Sequence, residues 1–518
     1  MTAQYDKQLE EQTGVDAPAA QAPSLLALLA KGATTHPDKP VVASERDTMS
    51  YKDAFELALA VAAWLREELG LKQGDTVLFY VPNRAEVPAL LSAADYLGLN
   101  IAMRAPSLTD HHVADDAAFL KPSLIVFEDA SSCASARRDG VEVPFLYLDG
   151  DASDATSLAK ARSAASASAG ETSFSRKVDE DVVLFSSGST GAPKAIANAM
   201  SSFTYNATRL TQTLGMTGED VLYAPVPVFH VYGFVAMVSA LLHGSTWAVL
   251  RKYSVQSSLQ LIGSLKPAVR FCVPTMIIRE LAVMREAGPE AREAAATRVC
   301  MVAGDACCES VLTEYERLSG CRIVLSYGMT ETAATLTVES PDAPLETRLE
   351  SSGKAIQGAE LKIDPATGEI LTKTPSLMRY IRTTDHDEKT SYDTSEWFGT
   401  GDVGRLDDDG RLYVLGRLKN IIVRGGLNIY PAQVEKVYLS HPAIKDCAVI
   451  GKPDLELGER VRLFATLESG CKVTYEELRA FGANKLEKGS LPDEVIFLEA
   501  IPSLPNGKRD SQRLKEIA

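Results

Sequence analysis

Residues 181–196 read DVVLFSSGSTGAPKAI. The apolar run at its start has the length and composition of a buried strand. It gives way to residues 186–196, crowded with hydroxyls, glycines, one proline and one lysine. Ser186, Ser187, Ser189 and Thr190 offer hydroxyls, Gly188 and Gly191 permit close backbone approach, and Lys194 supplies an ammonium. These are the groups that wrap and neutralise phosphate oxygens. The loop is not the GxxxxGK[ST] type, because the glycine-to-lysine spacing is wrong and no Ser or Thr follows Lys194. Serine, glycine and proline are also ordinary turn residues, so the loop alone leaves a plain surface turn open.

Working outward, apolar strands alternate with helices. SYKDAFELALAVAAWLREEL (50–69) puts Ala54, Leu57, Ala58, Val61, Ala62 and Leu65 on one helical face, with Ser50 as cap. GDTVLFYVP (74–82), SLIVFED (123–129) and VPFLYLD (143–149) read as strands, and AEVPALLSAADYLG (85–98) as a helix. This alternation predicts an α/β fold with parallel sheets covered on both faces. Residues 1 to about 23 read as a loosely held leader, and 151–173 as a low-complexity hinge or surface excursion outside the core. After Gly368 the texture shifts to short β pieces: GEIL (368–371), GRLYVLGR (410–417) and KNIIVRG (419–425). Helices at 431–441 and 474–486 and strands at 446–453, 462–468 and 494–502 then suffice for a small α+β domain. The expected division is 1–416 and 417–518, with the boundary inside GRLKN (416–420).

Composition narrows the class. The chain has 518 residues, 45% hydrophobic and 24% charged, enough for two or more cores. A formal net charge of −16 argues against a general nucleic-acid or anionic-membrane surface. The eight cysteines form no CxxC pair, which points to reduced thiols in a cytoplasm. No apolar segment reaches the roughly 18 residues of a membrane span, and MTAQYDKQLEEQTG lacks a signal-peptide layout. A cytoplasmic protein is expected; its oligomeric state is left open.

Five motifs follow in order: SSGSTGAPK (186–194), YGMTET (327–332), TGD (400–402), GRLKNIIVRGGLNIYPAQVE (416–435) and LPNGKRD (504–510). The set resembles the adenylate-forming superfamily of acyl- and aryl-CoA synthetases, non-ribosomal adenylation domains and luciferases, over almost the whole chain. The resemblance implies a large N-terminal domain of doubly covered sheets with a β-barrel-like subdomain, and a small mobile C-terminal domain. It implies carboxylate activation with ATP and Mg²⁺, followed by transfer to coenzyme A.

Forcing a carboxylate onto an α-phosphate brings two anions together, so cations and dipoles are needed where charge builds up. By resemblance, Ser187, Gly188, Ser189, Thr190, Gly191 and Lys194 cradle the β- and γ-phosphates. Thr330 touches the phosphates and Glu331 holds magnesium. Tyr327 stacks on adenine, with Gly304, Asp305 and Ala306 on the other side and edge and Gly328 and Met329 continuing the wall. Asp402 accepts from the ribose hydroxyls beside Arg417. Lys508 bridges carboxylate and α-phosphate, and Lys419 is the hinge. Gly425 and Gly426 line the thiol tunnel, although a GG pair can also simply end a β piece. His230, in PVFHVYGF (227–234), stands at the gate between acyl pocket and tunnel. Tyr232, Gly233, Ala236, Met301, Ala303, Gly304, Ser326, Ala333 and Ala334 wall the pocket. Several are small, which fits a bulky aryl, medium-chain or polycyclic acid. The chain departs from the family at Ala195, Asp305 and Cys307, and in 485–502.

The leading expectation is an AMP-forming acid:CoA ligase. The alternatives are an adenylation enzyme loading a carrier-protein pantetheine, and a non-catalytic nucleotide binder, which would not need Lys508.

Overall fold

The computed structural model describes residues 23–109, 112–132, 134–150, 157–164, 178–186, 194–286, 292, 296–383, 389–502 and 510–517. They build four sheets. The first has eight strands, in the order Lys389–Ser391, Tyr380–Thr383, Lys194–Ala199, Asp181–Ser186, Asn100–Met103, Thr76–Tyr80, Leu124–Phe127, Phe145–Tyr147. From Asp181–Ser186 onward its neighbours are parallel. Val182, Val183 and Leu184 are buried, as the apolar run predicts. Lys194 pairs with Ser186 at the start of an antiparallel return strand.

The second sheet has nine strands, in the order Lys354–Ala355, Thr337–Val338, Arg322–Tyr327, Val299–Val302, Val269–Cys272, Val221–Tyr223, Thr246–Val249, Pro40–Ser44, Thr48–Ser50. Helices Tyr51–Glu67, Val87–Leu97, Met200–Thr213 and Val231–His243 share one core with both sheets: Phe79, Met103, Trp247 and Phe271 meet Leu57, Leu90, Phe203 and Phe234 there. The first of these helices starts where expected, the Ser50 hydroxyl accepting from Asp53 N at 3.1 Å. All six residues of its predicted apolar face are buried.

One expectation is corrected. Within 151–173, Leu158–Ala164 is an α-helix whose Leu158 and Ala161 are buried in the main core. Alanine- and serine-rich composition reads as low complexity but is also compatible with a helix laid closely on a neighbour.

The β-barrel-like piece takes the form of a four-stranded antiparallel sheet, in the order Glu360–Ile363, Glu369–Lys373, Phe398–Leu406, Leu412–Arg417. The large N-terminal domain is followed by a smaller C-terminal one. Its sheet runs Leu427–Ile429, Ile422–Arg424, Gly458–Leu467, Ile444–Asp454, with Glu494–Phe497 also pairing with Gly458–Leu467. Helices Pro431–Leu439 and Tyr475–Ala483 close a core of Val434, Tyr438, Val449, Leu463 and Leu478. Across to the N-terminal domain, Lys436 lies 3.4 Å from Glu309 and 3.7 Å from Glu350, all three side chains substantially exposed. No helix among the described residues is long and apolar enough to cross a membrane.

His243, ending its helix, has Nε2 2.7 Å from Thr211 Oγ1. Burial, opposed by Asp220, lowers its pKa from 6.5 to about 4. Below 6.5 the unfolded chain therefore binds more protons than the folded one. The stability present above that value drains as pH falls toward 4, by about 2 kcal/mol at pH 5. His243→Gln is expected to flatten this acid limb in urea titrations at pH 7 and 5; an unchanged slope would assign it to other groups.

Candidate functional site

The site assembles where strand Arg322–Tyr327 of the second sheet meets the four-stranded sheet. Asp402 and Arg417 are register partners there. Asp402 is buried, and Arg417 Nε lies 2.7 Å from its Oδ1 while the Tyr327 hydroxyl donates to its Oδ2 at 2.7 Å. Burial first, then the Asp402 charge, holds the Tyr327 phenol well above its ordinary value, so it stays a donor. A buried carboxylate held this way is an acceptor of the kind that binds hydroxyl groups.

After Tyr327 the chain winds back sharply. A Cβ on Gly328 would sit 1.6 Å from the Ala334 carbonyl oxygen, so only glycine fits. Thr330–Thr332 form one 3₁₀ turn, followed by Ala333 at φ 53° and Ala334 at φ 98°. Left-handed backbone at non-glycine residues costs about 1–3 kcal/mol and persists where surroundings hold it. Met378 N donates to the Glu331 carbonyl at 2.7 Å. Two buried asparagines also reach the loop: Asn198 Nδ2 donates to Thr330 O at 2.9 Å, and Asn206 to Thr332 O and Thr335 O. Sequence reading missed both. Asn206 falls at helical spacing from Phe203 and Leu210, which was the available signal, since a buried amide requires partners.

Burial raises the Glu331 carboxyl, opposed by the charges of Arg417 and Lys194. Partial desolvation lowers the Lys419 ammonium, with repulsion from Arg417 and Lys194 next and Lys515 also contributing. Arg417 and Lys194 thus act electrostatically on Glu331, and Lys419 lies within range of both cations, a charge pattern suited to a polyanion. Among the described residues no group of three or more His, Cys, Asp or Glu could hold a metal. Glu331 is nonetheless a hard oxygen donor whose burial cost a cation relieves. Mg²⁺ takes one or two carboxylates and completes its shell with phosphate oxygens and water, so these residues fit magnesium bound with a nucleotide.

Gly304 needs its φ of 94°, and Gly304, Asp305 and Ala306 are exposed. Asp305 Oδ1 accepts from Ala306 N at 2.8 Å. The Tyr232 hydroxyl donates to Met301 O at 3.1 Å, and its ring stacks on Phe271 at 5.4 Å. A Cβ on Gly233 would lie 2.1 Å from Pro227 O, so this glycine answers to backbone crowding. Ala236, Met301 and Ala333 are fully buried, Ala303 is half-buried, and the Ser326 hydroxyl donates to Thr337 O at 2.9 Å. His230 is exposed at the head of helix Val231–His243, its ring 4.9 Å from Phe229. Behind it, buried Asn83, another residue the sequence did not flag, binds Val226 O and Val228 N.

Gly425 and Gly426, at φ 58° and 83°, are the two central residues of the tight turn joining Ile422–Arg424 to Leu427–Ile429. Such a turn demands positive φ at both positions, so hairpin geometry alone accounts for the pair. Ser187, Gly188, Ser189, Thr190, Gly191 and Lys508 lie outside the described residues.

Residues 29–381 match the family model of AMP-binding enzymes, and 433–508 that of the AMP-binding enzyme C-terminal domain. The chain belongs to the AMP-binding enzyme family. A 2-succinylbenzoate–CoA ligase of Geobacillus sp. (strain WCH70) is 28% identical to this AMP-binding enzyme over 485 residues, covering 91% of this chain and 94% of the relative. 4-Coumarate–CoA ligase 1 of Petroselinum crispum is 28% identical over 487 residues, covering 89% and 88%. The structure of O-succinylbenzoate coenzyme A synthetase from Bacillus subtilis in complex with ATP and magnesium ion superposes with a TM-score of 0.77 at 25% identity, covering 94% of this chain and 99% of that one.

In this AMP-binding enzyme, Asp402→Asn keeps the shape of the side chain and removes its charge. ATP affinity, measured by calorimetry, is expected to fall by about 1.5–3 kcal/mol, the range for a hydrogen bond to a charged group. Unchanged affinity would remove Asp402 from the nucleotide site.

Proposed function

We propose that this AMP-binding enzyme is an AMP-forming acid:CoA ligase. A carboxylate oxygen attacks the α-phosphorus of ATP and pyrophosphate leaves. The thiol of coenzyme A then gives up its proton and attacks the acyl carbon, and AMP leaves. The observation that carries this reading is the junction of Tyr327, Asp402 and Arg417 beside the cations Lys194 and Lys419. A buried carboxylate suited to sugar hydroxyls there lies within electrostatic range of cations suited to phosphates.

Asp402 would hold the ribose, Tyr327 the adenine, and Lys194 and Thr330 the phosphates. Mg²⁺, when bound at Glu331, supplies charge that offsets the phosphate oxygens. Lys508 would bridge the two reacting anions, carried by a C-terminal lid beginning at residue 417 and turning about Lys419. His230 would stand at the gate of the acid pocket, with Tyr232, its ring stacked on the core residue Phe271, as part of the wall. The acid is hydrophobic and bulky, with aryl acids foremost, the class the relatives' names share. A cytoplasmic location accords with the cysteine pattern.

The test is incubation with ATP, Mg²⁺ and a panel of carboxylic acids, with and without coenzyme A. AMP, pyrophosphate and an acyl-CoA are expected for at least one aryl acid. Thioester on a carrier protein but never on coenzyme A would replace the acceptor, and ATP binding without turnover for any acid would overturn the ligase reading.

A further inference from the structure

We propose that Asn206, supported by Asn198, is a positioning residue that holds the loop carrying Thr330 and Glu331 in shape for ATP and Mg²⁺. This rests on the functional reading above, in which those two residues face the phosphates and the metal. Asn206 is fully buried on helix Met200–Thr213, among the apolar Phe203, Ala207 and Leu210. Its Nδ2 donates to Thr332 O at 3.2 Å and to Thr335 O at 2.7 Å, while its Oδ1 accepts from Thr335 N at 3.1 Å. One side-chain amide therefore uses both donors and its acceptor on backbone groups. Those groups flank Ala333 and Ala334, the two alanines in left-handed conformation. Such backbone persists only where its surroundings over-determine it, and Asn206 clamps it from both sides.

The placement links two parts of the site. Asn198 lies on the strand that begins at Lys194, and Asn206 on the helix that follows that strand. Amide-to-backbone bonds thus tie the strand that begins at Lys194, and the helix after it, to the loop carrying Glu331.

The test uses Asn206→Ala, the isosteric Asn206→Asp, and Asn206→Ala combined with Ala334→Gly. Dissociation constants are measured for ATP with Mg²⁺ and, separately, for adenosine. Both single variants are expected to weaken ATP with Mg²⁺ by about 10–100-fold, the usual loss on removing a group that orients a metal ligand. Adenosine, which reaches only the Tyr327 and Asp402 side, is expected to bind within about twofold of wild type, the response of a site untouched by the change. Glycine at 334 adopts positive φ without strain, so the double variant should recover most of the loss. Equal weakening of both ligands, unchanged ATP binding, or no recovery in the double variant would overturn the inference. Failure of the wild-type protein to bind ATP with Mg²⁺ would instead defeat the functional reading beneath it.

Discussion

Replacing Lys508 by alanine is expected to slow acyl-adenylate formation about 10²–10³-fold, the cost of removing one preorganised group from a developing anion. The carboxylate and α-phosphate repel in the ground state and share charge in the transition state, so a cation between them acts mainly on the barrier. Residues on either side of the lysine are anchored: Asp510 N donates to Pro502 O at 2.9 Å. Asp510 also caps the short helix Ser511–Glu516, accepting from Arg513 N at 3.0 Å. Lys515 on that helix is near enough to Lys419 for its charge to help lower that ammonium. Pyrophosphate exchange measures the first half-reaction, and thioester formation from a synthetic acyl adenylate measures the second. Only the first should collapse. Full exchange in the variant, or equal loss in both steps, would refute the assignment.

Glu280→Ala is expected to cost about 3–5 kcal/mol of stability, the penalty for stranding a buried partner charge. Arg270 and Glu280 are both fully buried, joined by contacts of 2.7 and 3.0 Å. Tyr315 donates to Glu280 at 2.6 Å and accepts from Arg270 at 2.6 Å, and Ser258 donates to Glu280 at 2.7 Å. Replacing Arg270 and Glu280 together with apolar residues of similar volume should cost far less than removing Glu280 alone, because no charge is then stranded. Chemical denaturation of the three proteins tests this; a single-variant loss below about 1 kcal/mol would show that water or rearrangement satisfies Arg270. The strand bearing Arg270 also supports the site, since Cys272 O accepts from Ala303 N, just before Gly304.

Periodicity made much of the fold legible. The Tyr51–Glu67 helix, its Ser50 cap and the buried strand at 181–186 all follow from local chemistry. The grouping of Tyr327, Asp402 and Arg417 was legible only through the family resemblance of their motifs, since 75 positions separate the first two. What escaped were residues whose role lies in partners distant along the chain. Asn198, Asn206 and Asn83 read as ordinary polar residues until the backbone they bind is seen. Arg270 and Glu280 went unremarked, since nothing local says that both are enclosed. Gly425 and Gly426 were named with two readings, and the turn they form fits both, because a tight turn and a close ligand approach require the same residue.

The Lys436 contacts across the two domains carry one more consequence. Ion pairs this exposed are worth little and are screened over about 8 Å at physiological ionic strength. In the proposed lid motion they would act as a shallow detent, favouring one docking of the small domain without arresting it. Under that proposal, background electrolyte should retune how long each docking is occupied, leaving the bond-making steps themselves untouched.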